Sequence, residues 1–281
     1  MNNNLPKVLI SVLNWNNAPD TIRCIHSLKK LSYTNFSIAV VDNGSKDNSA
    51  EEIQKAFPEL LLIQSPENMG YAGGNKLACD WGTGKDFNLF WIVNNDSVIQ
   101  HNCLEKLVNA YLEKGEGIYG GISLKDDNIT IAFSGGFDLD ENGKVVFEKY
   151  SIHSGKPLNT LPQNIALREV ADVNGACLLI PYSTIKKVGF IDSSFFLYGE
   201  ELDYCFKVRK KSGIKSYLVT SAVVKHEGST SLNKNEKLKR VKSYYLARNY
   251  SYFRYNYELK TKKEIMNSYT YSISMLSLIH I

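Results

Sequence analysis

The chain has 281 residues, 43% of them apolar and 22% charged, with a formal net charge of +4. That length holds one large domain or two small ones, and the mix excludes a wholly disordered chain, a collagen-like repeat and a polytopic membrane protein. The opening MNNNLPK lacks a basic start followed by an apolar run, so no secretory signal is expected. Five cysteines stand singly with no CxxC pair, which favours reduced thiols in the cytoplasm over a disulfide framework or a zinc ribbon.

Residues 7–14 (KVLISVLN) form a short β-branched run and read as a buried strand. Residues 19–31 space Ile22, Ile25, Leu28 and Leu31 as a helix does. A second strand over 36–41 stops at Asp42-Asn43-Gly44-Ser45. Residues 48–57 read as helix, 60–64 as strand and 71–81 as a helix behind a glycine-containing loop. A fourth strand over 87–93 stops at Asn94-Asn95-Asp96, and 102–113 reads as helix. Four strand–helix alternations predict a mostly parallel sheet flanked by helices. Ligands of such sheets bind beyond the carboxyl ends of the strands, where residues 14–17, 42–47 and 94–96 cluster their polar side chains.

After residue 115 the pattern changes. Short strands are expected over 118–124, 130–134 and 144–147, and one strand over 170–180 before a helix near Pro181. Residues 200–211 read as helix, 215–219 and 222–225 as two strands, and 235–257 as a long helix. The expected fold is therefore α/β, a Rossmann-like, mostly parallel sheet flanked by helices with a mixed second half and a helical C-terminal appendage. The expected division is a domain over 1–230, with a nucleotide-binding half (1–115) and an acceptor half (116–230), then a helical extension over 231–281.

Charge is uneven. Residues 1–203 carry 17 basic and 25 acidic side chains, a net −8, and residues 204–263 carry 16 and 3, a net +13. A basic third can meet anionic lipid or a phosphorylated substrate, or can be a solvated lysine face. No nucleic-acid-binding motif is found, so no nucleic-acid partner is expected. Residues 265–281 contain no Asp, Glu, Lys or Arg. That stretch is short for a spanning helix of roughly 20 residues. It suits contact with a membrane interface beside Lys260, Lys262 and Lys263, a buried terminal helix, or an incomplete end of a longer chain.

The first strand runs into Asn14-Trp15-Asn16-Asn17, with no glycine until Gly44, so the dinucleotide fingerprint and the Walker A loop are both absent. In VVDNGSKD, Asp42 can accept a hydrogen bond from a base or a ribose, and can equally be a turn residue, with Asp47 capping the next helix. The loop over 67–75 places Gly70, Gly73 and Gly74 around a helix start beside Asn68 and Asn75, which allows close approach of a sugar nucleotide or simply tight packing. In WIVNNDSVI, Asp96 offers a hard oxygen to a divalent cation, with Asn95 or water beside it; the plainer role is a turn aspartate. In FFLYGEELDYCFKVRKKSG, Glu200, Glu201 and Asp203 open a helix. Acidic residues favour helix N-termini, and neighbouring carboxylates also raise one another's pKa, which suits a general base. His226, just after a strand, is a candidate metal or phosphate ligand, or a structural histidine.

In their order along the chain, Asn14-Trp15-Asn16, Val40 to Ser45, Asn68 to Asn75, Asn94-Asn95-Asp96, Asn174-Gly175-Ala176, Glu200 to Asp203 and His226 resemble family-2 glycosyltransferases of the GT-A fold, most closely their rhamnosyltransferase-like branch. The resemblance spans roughly residues 6–230. It implies inverting transfer of a sugar from a nucleoside diphosphate donor, dTDP-rhamnose first and a UDP-sugar second, to a saccharide or lipid-linked saccharide in cell-surface polysaccharide synthesis. It also implies Mg²⁺ or Mn²⁺ on Asp96 near His226, Asp42 on the base or ribose, and Glu201 as the base. Asn14, Asn68, Gly73, Asn75 and Asn95 join the donor-binding set; Glu200 and Asp203 join the catalytic set. The expected location is cytoplasmic, at the inner face of the cell membrane, with peripheral contact through the C-terminal third. Two departures stand out. The usual DxD motif is Asn94-Asn95-Asp96, and the usual Glu-Asp pair is Glu200-Glu201. Asp203 is an alternative group for orienting the acceptor hydroxyl, and Arg209 a candidate for holding an anion. Two competing classes are a non-catalytic sugar-nucleotide-binding module and a nucleotidyltransferase. The second lacks the basic glycine-rich loop expected after its first strand.

Overall fold

The structure is a computed structural model that describes residues 5–151, 153–161, 166–226 and 236–258. The first half alternates as expected: β1 (Val8–Asn14), α1 (Ala18–Leu28), β2 (Phe36–Asp42), α2 (Ser49–Ala56), β3 (Leu61–Gln64), α3 (Gly70–Gly82) and β4 (Leu89–Asn94). The sheet orders these strands β3-β2-β1-β4, and every pairing among them is parallel. Strands covered on both faces need apolar residues at consecutive positions. Accordingly Val8, Ile10 and Val12 of β1 enter the core under α1 and α2, while Leu9 enters the core under α3. Trp91 and Val93 of β4 face the first core, Phe90 and Ile92 the second.

The register decides what meets at the sheet edge. Asn14 pairs with Asp42, and Leu13 with Asn94, so three polar strand tips stand side by side.

The second half contributes β5 (Ser97–Ile99), α4 (Cys103–Lys114), β6 (Ile118–Leu124), β7 (Ile131–Phe133), β8 (Phe137–Leu139) and β9 (Val145–Tyr150). It continues with β10 (Leu167–Val170), β11 (Cys177–Pro181), α5 (Tyr182–Val188), α6 (Glu200–Ser212), β12 (Ser216–His226) and α7 (Glu236–Phe253), which runs into a π turn over Arg254–Glu258. β11 joins antiparallel to β4 and β6, and β6 pairs parallel with β12. β10 closes the edge antiparallel to β12, and β8 with β9 forms a separate hairpin.

The strand expected over 170–180 is two strands. Asp172, Asn174 and Gly175 interrupt it: Asp172 Oδ1 accepts the Phe137 N–H at 2.9 Å, and Asn174 Oδ1 accepts the Ala176 N–H at 2.7 Å. Such side chains compete with ladder hydrogen bonds. Conversely, the two strands expected over 215–225 are one strand, β12, with a register shift between Val219 and Val223. A bulge of this kind bends a strand without ending it. The three-residue strands β5 and β8 are too short to show a period in sequence. The expected tail contact over 265–281 lies outside the described residues.

A third, aromatic cluster joins the hairpin to α6 and α7. Phe137, Phe206 and Phe253 are buried in it, with Phe147, Leu202 and Tyr257 packed against them. All five cysteines are free and buried. Among the described residues no helix is long and apolar enough to cross a membrane.

Candidate active site

The tips of β1 and β2 are locked together. Asn14 Nδ2 donates to Asp42 Oδ1 at 2.7 Å and to Ser45 Oγ at 3.2 Å, and Asn14 Oδ1 accepts from Thr21 Oγ1 at 2.7 Å. Ser45 donates to both Asp42 oxygens, its Oγ to Oδ1 at 2.6 Å and its N–H to Oδ2 at 3.2 Å. Asp42 is thereby fixed in direction, and Oδ2, with one donor, keeps room to accept another. Gly44 has φ +71°, and a Cβ there would collide with the Glu67 backbone. That close approach brings the 42–47 turn against the loop before α3.

Asn43, which the sequence marks only as part of a turn, fastens the two loops. It is 2% exposed; its Nδ2 donates to Asn68 Oδ1 and the Gly70 carbonyl, both at 3.1 Å, and its Oδ1 accepts the Met69 N–H at 3.0 Å. Asn68 Oδ1 also accepts the Gly70 N–H at 2.9 Å. Gly73 and Asn75 lie beneath this surface. Asn75 is fully buried, accepting from Ser11 Oγ at 2.7 Å and donating to the Tyr71 carbonyl at 3.0 Å. The structure makes it a fully buried brace between α3 and β1. Asn95 Nδ2 donates to Thr21 Oγ1 at 3.0 Å, tying the β4 turn to α1.

Antiparallel pairing of His226 with Ser97 carries the end of β12 to the turn after β4. There His226 Nε2 lies 3.2 Å from Asp96 Oδ1 and 3.1 Å from the side-chain amide nitrogen of Asn94. Asp96 is 8% exposed, and its Oδ1 is buried with no hydrogen bond aligned onto it. An unpartnered buried carboxylate oxygen beside an imidazole nitrogen fits a divalent cation, since Mn²⁺ and Mg²⁺ take oxygen and imidazole suits the former. Among the described residues no cluster of three or more His, Cys, Asp or Glu could hold a metal. Asp96 and His226 are the two side chains here with the chemistry of cation ligands.

The acidic helix start completes the cleft. Tyr198 and Gly199 both have positive φ, +66° and +85°, and α6 begins at the next residue. Glu200 is 4% exposed with Oε2 unpartnered; burial, then the Glu201 charge, holds its carboxyl well above the usual range. Burial also raises Glu201, against backbone N–H groups of Glu201, Gly175 and Gly199 and the charge of His226, which pull it back. Residues two apart on a helix do not face one another, so Asp203 points elsewhere: its Oδ1 accepts from Tyr257 Oη at 3.0 Å. Arg209, a sequence candidate for an anion, is already engaged. Its Nη1 donates to Glu169 Oε1 and its Nη2 to the Val170 carbonyl, both at 3.0 Å.

Cross-links set the spacing between halves. Tyr71 Oη donates to the Gly175 carbonyl at 2.7 Å, and the Tyr71 N–H donates to the Phe196 carbonyl at 3.1 Å. A Cβ on Gly175 would stand 3.5 Å from the Glu201 carboxyl carbon, so the base candidate lies directly over that loop. From α7, Asn249 Nδ2 donates to the carbonyls of Leu197 and Tyr198, both at 2.8 Å. Asn249 is 2% exposed and pins the left-handed bend that launches α6. No sequence signal marks it. Asp172, 1% exposed, is raised to about 7 by burial, with the Phe137 N–H opposing and the Glu201 charge adding. Its only mark in sequence is a polar break in an apolar run.

A parallel β3-β2-β1-β4 block with polar tips, an antiparallel continuation and an acidic helix over the edge define a GT-A fold. The solved structures agree. A mannosyltransferase from Pyrobaculum calidifontis, determined with GDP-Man and Mn²⁺, aligns with a TM-score of 0.61 at 14% identity over 98% of this chain and 73% of that one. S. aureus TarS aligns with a TM-score of 0.55 at 14% identity over 97% and 49%. Residues 8–185 match the model of Glycosyl transferase family 2, and the chain belongs to that family. Among curated relatives, a low-salt glycan biosynthesis hexosyltransferase of Haloferax volcanii is 24% identical over 62% of this chain. An N-acetylglucosaminyl-diphospho-decaprenol L-rhamnosyltransferase of Mycobacterium tuberculosis is 21% identical over 81% of this chain and 77% of its own length. The chain spans 53% of the Haloferax protein and 31% and 36% of two uncharacterized Rickettsia glycosyltransferases, about a third to a half of these relatives.

Proposed function

We propose that the protein is an inverting glycosyltransferase that moves a sugar from a nucleoside diphosphate donor to a hydroxyl of a saccharide or lipid-linked saccharide. The observation that carries this reading is the meeting of Asp42, the Asp96–His226 pair and Glu201 around one sheet edge. Asp42, aimed by Asn14 and Ser45, receives the base or ribose. Asp96 and His226 would hold Mg²⁺ or Mn²⁺, which supplies positive charge to a departing diphosphate. Glu201 takes the acceptor proton. As that O–H bond breaks, the oxygen bonds to the anomeric carbon, and the bond from that carbon to the diphosphate oxygen breaks on the opposite face. One displacement inverts the centre and needs no enzyme nucleophile. Burial raises the Glu201 carboxyl, which makes it a stronger base than a solvated glutamate.

The favoured donor is dTDP-rhamnose, with a UDP-sugar second; the 21%-identical mycobacterial rhamnosyltransferase supports that order and a polyprenyl-linked acceptor. Peripheral membrane contact at the cytoplasmic face is supported by exposed Lys239, Arg240, Arg248 and Tyr252 on α7 and Tyr255 in the π turn after it. The test is a nucleotide-sugar panel scored by thermal shift with and without Mn²⁺, then turnover of Glu201→Gln. A selective, Mn²⁺-enhanced shift is expected, with donor binding kept and turnover lost in the variant. Near-normal turnover of Glu201→Gln would remove Glu201 from its role.

A further inference from the structure

Two turns far apart in sequence carry Asp42 and Asp96, and α1 is bonded toward both. Asp42 ends β2, and Asn95 with Asp96 are the two residues between β4 and β5. Three side chains of α1, spaced three apart, brace that second turn and the strand after it. Asn95 Nδ2 donates to Thr21 Oγ1 at 3.0 Å, Cys24 Sγ donates to the Asn94 carbonyl at 3.5 Å, and Ser27 Oγ accepts the Ile99 N–H at 3.0 Å.

Thr21 also reaches the other turn. Its hydroxyl has one proton and two acceptors within reach, Asn14 Oδ1 at 2.7 Å and the Asn17 carbonyl at 3.0 Å. Thr21 and Asn14 are fully buried, and Asn14 Nδ2 is committed to Asp42 Oδ1, which accepts from Ser45 Oγ as well. The Asn14 amide oxygen therefore faces Thr21. A Thr21 proton turned to Asn17 would set two acceptor oxygens 2.7 Å apart in the interior, each short of a donor. The proton goes to Asn14, which leaves Thr21 Oγ1 to accept the Asn95 amide. The chain Asn95, Thr21, Asn14, Asp42 thus donates in one direction, toward the carboxylate at its end.

We propose that Thr21 is a positioning residue that couples two subsites: its hydroxyl ties the turn bearing Asp96 to Asp42, so that a nucleoside on Asp42 and a divalent cation at Asp96 tighten one another's binding with no phosphate between them. The proposal rests on the transfer reading for what binds at each end, and adds that the protein itself links the two. A base or ribose that orders Asp42 orders Asn14, Thr21 and Asn95 in turn, so the cation meets a turn already held. Hydrogen bonds in such a chain also polarise one another. The effect is reciprocal. Cys24 supports the same turn and has no bond toward Asp42, which makes it the control.

The test titrates uridine, thymidine and guanosine into the full chain by calorimetry, with and without saturating Mn²⁺. These probes carry no phosphate to bridge to the cation. At least one is expected to bind, and Mn²⁺ should tighten it about fivefold or more. Thr21→Val, close in size but lacking the hydroxyl, should remove that gain, while Thr21→Ser and Cys24→Ala keep it. A merely structural Thr21 would lower the urea midpoint of Thr21→Val and leave the gain intact, which would overturn the proposal. Should Thr21→Val not fold, Asn95→Ala cuts the chain at its half-buried end and carries the same expectation. Nucleoside and Mn²⁺ that bind the wild type independently would overturn the coupling and leave the transfer reading standing. So would a gain lost equally in Cys24→Ala. Coupled binding that depends on Thr21, with no transfer or hydrolysis of any nucleotide sugar, would support the coupling and sink the transfer reading instead.

Discussion

Replacing Asp172 by Asn converts a buried proton into a measurable change of stability with pH. Asp172 is 1% exposed, and the Phe137 N–H is an inadequate replacement for water around a full negative charge. Its pKa therefore rises from 3.8 to about 7. The folded protein keeps a proton that the unfolded chain releases near pH 4. The folded state binds more protons across that window, so this group's contribution is complete below about pH 4 and is lost as pH rises to about 7. From pH 5 to pH 8 the loss amounts to about 3 kcal/mol at 1.36 kcal/mol per pKa step. An Asn carries no charge at either pH, and its Oδ1 can still accept the Phe137 N–H. Urea denaturation of both proteins at pH 5 and pH 8 reads the effect, because groups remote from Asp172 titrate alike in both, while Glu201, whose charge adds to the Asp172 shift, shares in the difference. The wild type should lose about 3 kcal/mol more than the variant over that range. Equal losses within about 0.5 kcal/mol would refute the burial argument.

Asn249→Ala removes both hydrogen bonds that hold the Leu197–Tyr198 bend, so kcat should fall tenfold or more with donor KM unchanged. A proportional loss of donor affinity would instead mark a general folding defect. Asp96→Asn and His226→Ala should each lower the apparent Mn²⁺ affinity at least tenfold, read from the Mn²⁺ dependence of the nucleotide-sugar thermal shift. Unchanged Mn²⁺ dependence in both would place the cation elsewhere. Gly175→Ala puts a methyl group 2.7 Å from Tyr71 Oη and should displace the Tyr71 bond to the Gly175 carbonyl. Overpacking of that size costs about 1–3 kcal/mol, visible as a Tm lower by several degrees; an unchanged Tm would show that the loop yields freely.

The parallel half was readable because β1, β2 and β4 are buried on both faces. Runs such as Val8–Leu13, apolar at every position but Ser11, read as central strands, and their abrupt polar ends located the binding edge. The second half was less readable. β5 and β8 have three residues each and owe their existence to β12 and β9, not to any local pattern. The 170–180 run looks like one strand because its apolar content hides Asp172 and Asn174, whose side chains capture N–H groups at Phe137 and Ala176. Among the site residues, Asp42, Asp96, Glu201 and His226 stood out as carboxylates or imidazole at element ends. Asn75 stood out equally and is a buried brace, since an amide's role depends on which way it faces.

The order of strands and helices, and the supply of carboxylates at their ends, follow from the sequence because burial fixes the period of apolar residues along each element. Which carboxylate meets which partner was settled only by packing. Asp203 turns to Tyr257 while Glu201 lies over the Gly175 loop, although they are two positions apart on one helix. Asn249 reaches the Leu197 and Tyr198 carbonyls across about fifty residues of chain. Such contacts depend on how α7 lies over α6, and no local pattern in either helix encodes that angle.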